Sequence, residues 1–162
     1  MAVLEKTRAW GYMDESMRDL LAQSYALLER ESGRVEEYKY HDYSFVVFPA
    51  AKAFEGFLKK VFLDLGFINK FQYGGDRFRI GRALNPDLPI RYRWDWVYGK
   101  MAIRCRDDRL PLELWQVWKM ARNGIFHFFP GHARFISLEE AGALVGRIVD
   151  VMEKTLAGCS LA

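Results

Sequence analysis

The chain has 162 residues, 51% of them hydrophobic and 15% aromatic, which suits one globular domain with a sizeable core. Its 24 basic and 21 acidic side chains leave a formal charge of +3, a mild bias that is compatible with nucleic acid but falls short of evidence for it. No stretch approaches the ~18 consecutive apolar residues of a membrane-spanning helix.

The N-terminus, MAVLEKTRAWGYMDE, lacks an apolar signal core, so no secretory signal is expected and the cytoplasm is the expected compartment. The two cysteines, Cys105 and Cys159, are far apart and lack metal-ligand spacing. They read as reduced intracellular thiols.

In chain order, residues 1–13 read as an irregular arm, or as a short helix if tied down. Residues 14–31 read as a helix: Met17, Leu20, Leu21, Leu27 and Leu28 recur near the helical period, and Asp14 or Ser16 can cap its start. Ser32-Gly33 ends it, and residues 34–41 carry no clear signal. Residues 43–66 form a second helix with a stripe of Phe54, Phe57, Leu58, Val61, Phe62 and Leu65. Pro49 either starts that helix or kinks it. Glu55 lies beside the stripe and four positions before Lys59. It reads as a surface pair with that lysine or as an active-site carboxylate.

Residues 67–92 are loop-rich, with turn signals at Gly74-Gly75-Asp76 and Asn85-Pro86-Asp87 and room for a short helix around 77–84. Arg77, Arg79, Arg82, Arg91 and Arg93 interleave with Tyr73, Phe78, Tyr92 and Trp94. That mixture suits single-stranded RNA, through phosphate neutralisation and base stacking, or a solvated loop whose aromatics tuck into the core. Together with Lys119 these arginines are the candidate RNA contacts. Residues 94–107 read as helix or strand. The neighbouring acids Asp107 and Asp108 point to different faces in either structure and make a poor metal pair. A helix follows over 110–128, with Leu114, Trp115, Val117, Trp118 and Ala121 as core candidates. The capping box Ser137-Leu138-Glu139-Glu140 opens the last helix, 138–157, and a frayed tail is expected from 158.

The chemistry concentrates in Arg122-Asn123-Gly124-Ile125-Phe126-His127. An arginine grips a phosphate with a bidentate fork, and a histidine moves protons near neutral pH. Those are the two groups a phosphodiester cleavage needs: one transfers protons and the other stabilises charge on the phosphoryl oxygens. On an α-helix, five positions are about 1.4 turns, so Arg122 and His127 do not stack there, whereas Asn123 and His127 do. Pro130-Gly131 stops the helix, which predicts His127 in or near its last turn, where the dipole favours an imidazolium. His41, His127 and His132 are the only histidines. No H-x-x-x-H or C-x-x-C pair is present, so neither a metal nor a cofactor is expected.

Arg122-Asn123…His127 resembles the R-N-x-x-x-H signature of the HEPN superfamily, α-helical domains that include many metal-independent ribonucleases. Phe48 to Lys59, FPAAKAFEGFLK, resembles the helix that carries an acidic residue ahead of that signature. Both stretches are most similar to the catalytic region of RNase LS-type toxins of toxin–antitoxin systems. Such toxins carry further domains that 162 residues do not accommodate.

The resemblance implies an all-α, HEPN-like bundle of four to five helices with a loop-rich middle, as one domain over residues 1–162. It implies an endoribonuclease of toxin or anti-phage type that works by 2′-OH transesterification. His127 would act on the 2′-OH or the leaving 5′-oxygen, and Arg122 would stabilise the transition state. Asn123 would hold His127 in one tautomer or touch the phosphate, and Glu55 would orient the cation or assist proton transfer. It also implies a homodimer with a composite cleft, and an antitoxin protein as partner. The alternative is a non-catalytic HEPN module that binds RNA or nucleotide, or docks a partner.

Overall fold

The structure, a computed structural model, describes residues 4–33, 39–127, 130–131 and 134–161. Of the residues weighed above, part of the 34–41 segment, Phe128 and His132 lie outside that set.

The N-terminal segment is tied down as a short helix, α1 (Arg8–Tyr12). Thr7 accepts from the Trp10 N–H at 3.2 Å, and the Ala9 N–H donates to Glu153 Oε1 at 2.5 Å, a contact from the far end of the chain. Ala9 and Met13 are buried. The Tyr12 hydroxyl donates to Asp64. Burial, and then the Asp64 carboxylate, push its pKa well above the ordinary phenol value.

Helix α2 (Glu15–Ser32) buries Met17, Leu21 and Ser24 against α3 (Ser44–Asp64). The two approach closely at Gly56, where a Cβ would stand 3.1 Å from the end of the Met17 side chain. Pro49 lies inside α3 rather than at its start. A proline there removes the N–H that would bond the carbonyl four residues back and crowds that turn. The next N–H, that of Ala50, donates to the buried Ser24 Oγ at 2.9 Å, so α2 supplies an acceptor where the proline disturbs the helix.

Helix α3 is the centre of the molecule. It packs against α2, against the last helix, which spans Leu138–Cys159, and against elements of the middle section. Val46, Val47, Pro49, Ala50, Ala51, Ala53, Phe54, Phe57, Leu58, Val61 and Phe62 are all buried. Phe48, Lys52, Glu55 and Lys59 are not. Their spacing of four, three and four places them along one face.

The loop-rich middle contains α4 (Lys70–Gly74), α5 (Ile80–Ala83) and a 3₁₀ turn over Ile90–Asp95. The helix expected around 77–84 is thus shortened to its second half. Asn69 and Gln72 form a capping box on α4 that the sequence analysis passed over. The ambiguous 94–107 stretch is helical in its second half, α6 (Tyr98–Cys105). Helix α7 (Arg109–Trp118) follows and widens into a π-helical turn over Lys119–Asn123. Ser137 opens α8 (Leu138–Cys159) through the expected capping box.

The two cysteines are joined. Cys105 ends α6, Cys159 ends α8, and a disulfide links them across a sequence separation of 54. The expectation of two reduced thiols is corrected here, because the packing of α6 on α8 brings both helix ends together. The expected fraying is corrected in the same place: α8 runs through Gly158 to the fully buried Cys159. Every described element is helical, so the protein is all-α among the described residues. No described helix is long and apolar enough to cross a membrane.

Two outcomes follow. Ser24→Ala should cost about 1–3 kcal/mol in urea unfolding, the penalty for a buried N–H left without its acceptor. The double substitution Cys105→Ala/Cys159→Ala should lower stability by about 2–4 kcal/mol, and alkylation mass spectrometry of the unreduced wild type should find neither thiol free.

Candidate functional site

The solvent stripe of α3 forms one wall of a cleft of ≈370 Å³, lined by Phe48, Ala51, Lys52, Glu55, Arg122, Phe126 and His127. Three of the four candidate catalytic residues, Glu55, Arg122 and His127, therefore share one cavity. Asn123 is not among its lining residues. Lys52, which the sequence analysis passed over, is.

The opposite wall comes from the π turn and the chain just after it. The Gly124 N–H reaches back to the Lys119 carbonyl at 2.8 Å, a five-residue step that closes the wide turn. A Cβ on Gly124 would lie 3.3 Å from the carbonyls of both Lys119 and Met120, closer than most side chains tolerate. π-turns inside α-helices are rare and frequent at functional sites. Here the wider turn leaves Arg122 exposed at the cleft. Its guanidinium lies 5.2 Å from the Trp118 ring centre and donates to Asn123 Oδ1 at 3.4 Å. Trp118 is itself buried, beside Phe54 of α3 and against Gly81 of α5, where a Cβ would come within 2.9 Å of its Nε1.

Beyond the π turn the chain folds over: the Phe126 N–H donates to the Arg122 carbonyl at 3.1 Å. Phe126 then packs edge-on against Phe48 of α3, with centroids 5.3 Å apart and planes at 74°. That pair holds the segment onto the α3 stripe and puts His127, the next residue, at the cleft. The sequence predicts His127 in or near the last turn of a helix over 110–128; the helix ends at Asn123, so His127 lies just beyond it and not inside it. The α-helical register that would stack Asn123 on His127 does not continue past Asn123. Asn123 Oδ1 accepts from the Arg122 guanidinium.

Glu55 is paired with Lys59 and also faces the cleft. Its carboxylate stands 4.0 Å from the Lys59 ammonium. With Lys52 and Arg122 as fixed cations against one carboxylate, the cleft has a positive excess suited to a phosphate, and an imidazole sits beside it.

The other candidate RNA contacts do not converge on this cleft. Lys119 lines a separate basic hollow with Gln116, Met120, Gly124, Arg134 and Arg147. Arg79 donates to the Asp76 carbonyl, and Arg93 to the Leu88 carbonyl at 2.7 Å. Arg91 lies over Tyr92, and Arg82 faces Asp95 at 3.5 Å. Arg77 lines a third cavity in the middle section. Among the described residues, no group of three or more His, Cys, Asp or Glu side chains is placed to hold a metal ion.

Comparison of the chain with protein-family models, with curated proteins and with solved structures gives no match in any of the three.

Apart from the buried Ala51, the cleft side chains are exposed or half-exposed, and the ion pair at Glu55 is a surface pair. Glu55→Gln, Arg122→Ala and Asn123→Ala should each leave stability within about 1 kcal/mol of the wild type in urea unfolding. A larger loss at any of them would show that residue to be part of the scaffold.

Proposed function

We propose that this protein is an endoribonuclease that cleaves RNA by transesterification in the cleft between α3 and the π turn. The observation that carries the reading is the convergence, in one cavity, of Arg122, His127, Lys52 and Glu55, which come from two segments far apart in sequence. The similarity of Arg122-Asn123…His127 and its upstream acidic helix to the HEPN signature supports the same reading.

The chemistry assigns each group one task. His127 accepts the proton of a ribose 2′-OH as that oxygen attacks the adjacent phosphorus. Arg122 and Lys52 stabilise the charge that builds on the non-bridging oxygens. The 5′-oxygen leaves as an alcohol, and the products are a 2′,3′-cyclic phosphate and a 5′-OH. Glu55 orients a cation or the imidazole, and Asn123 holds the Arg122 fork. Two proton transfers are needed, and among the described residues the cleft holds one imidazole, that of His127. A homodimer that sets two such clefts face to face supplies a second, and this is the assembly we assign. A toxin restrained by an antitoxin protein is the setting in which such an enzyme fits.

The test is cleavage of labelled single-stranded RNA in excess EDTA. Wild type should leave cyclic-phosphate ends, and Arg122→Ala and His127→Ala should each be slower by at least about 100-fold with the fold intact. DNA of the same sequence should resist, because it lacks the 2′-OH. RNA binding without cleavage by a folded wild type would select the non-catalytic module instead. A monomeric mass at working concentration would remove the composite cleft.

A further inference from the structure

The formal charge of the chain is not spread evenly. Residues 70–96 hold six basic and three acidic side chains, so the whole excess of +3 lies in this one segment. The same segment shows its aromatics to solvent: Phe71 is 83% exposed, Trp94 71% and Tyr92 44%. Large aromatics exposed together mark a contact surface.

These features surround a cavity of ≈470 Å³ lined by Phe71, Phe78, Trp94, Arg77, Asp76 and Asp95, along with Gln72 and Gly75. Its volume falls in the range of small-molecule sites, about 300–1,000 Å³. Phe78 is buried and meets Phe62 of α3 edge-on, which anchors this aromatic to the core. Phe71 stands on α4, held by the Asn69–Gln72 capping box. Trp94 stands on the 3₁₀ turn, with the Arg82 guanidinium 4.7 Å from its ring centre. The Asp95 side chain is 3% exposed, and its Oδ1 faces Arg82 Nε at 3.5 Å without a hydrogen bond to either atom. Among the described residues, the buried polar side-chain atoms left unsatisfied are at this cavity's edge.

We infer that this cavity holds one unstacked base of a single-stranded RNA, with the surrounding arginines on its phosphates. Exposed aromatic faces stack on any base, and guanidiniums beside them neutralise the backbone. An apolar peptide would fit the rings but leaves the concentration of arginine here without a counterpart. The inference rests on RNA being the substrate of the α3 cleft, and gives that substrate a second foothold outside it.

The test uses a labelled single-stranded RNA with 2′-O-methyl groups throughout, which binds but cannot be cleaved, beside a duplex of the same sequence. Wild type, Trp94→Ala and Phe71→Ala are compared by fluorescence anisotropy. Both side chains stand mostly in solvent, so the variants should keep the wild-type circular dichroism and Tm. The single strand should bind about tenfold more weakly to each variant, while the duplex, whose bases stay stacked, should change less than about twofold. Equal single-strand affinity in all three proteins would overturn the inference, and so would a wild type that binds no RNA. Dimerisation lost in Trp94→Ala, with RNA affinity unchanged, would overturn it in favour of a protein contact. Wild-type cleavage of unmodified RNA is scored separately. Cleavage with no Trp94 dependence of binding removes the base pocket and keeps the ribonuclease; Trp94-dependent binding without cleavage does the reverse.

Discussion

Burial of α3 constrains everything around it. A helix enclosed by α2, α8 and the middle section has almost no face left for polar groups. Its charged side chains are confined to Lys52, Glu55, Lys59 and Lys60 and the residue at its end, Asp64. Lys60 and Asp64 pair with each other at 3.2 Å and serve the α1 contact through Tyr12. The stripe of Phe48, Lys52, Glu55 and Lys59 is what remains, and the cleft lies along it. Ser24 is buried in the same enclosure, and its Oγ accepts from the Ala50 N–H one residue after Pro49, a polar contact between α2 and α3 that water does not reach.

The cleft's second wall depends on a departure from regular structure. An α-helix continued past Trp118 would carry Arg122, Asn123 and His127 at fixed angles, with the asparagine stacked under the histidine. The π turn and the fold-back after Gly124 break that relation. They leave the guanidinium lodged between Trp118 and Asn123, and the Phe48–Phe126 contact brings the chain back onto α3. The position of Arg122 thus reaches, through Trp118, as far as Gly81 in the middle section. A segment that looks like an insertion between helices is part of the support of the site.

That middle section also sets the electrostatics. The remaining residues are balanced in formal charge, so the positive field of the molecule originates in residues 70–96. Several of its arginines are engaged with local partners: Arg82 with Asp95, Arg93 with the Leu88 carbonyl and the Trp96 ring. Such contacts fix the aromatic rings in place and still leave the cations near the surface, as a stacking platform requires.

The sequence by itself determined what depends on local pattern. The periodicity of Met17 and Leu21, the apolar stripe of α3 and the capping box at Ser137 marked the three long helices, because neighbouring residues on one face are set by the helical repeat alone. It also singled out Glu55, Arg122 and His127, since their chemistry is visible without coordinates. What tertiary structure decided is everything that joins distant segments. The Cys105–Cys159 bond, the burial of Cys159, the Ser24–Ala50 contact and the entry of Lys52 into the cleft each depend on helix packing. No local signal carries that information. The π turn was hidden for a related reason: Lys119–Asn123 display no propensity for its wide geometry, and the turn lies packed against α3 and α8.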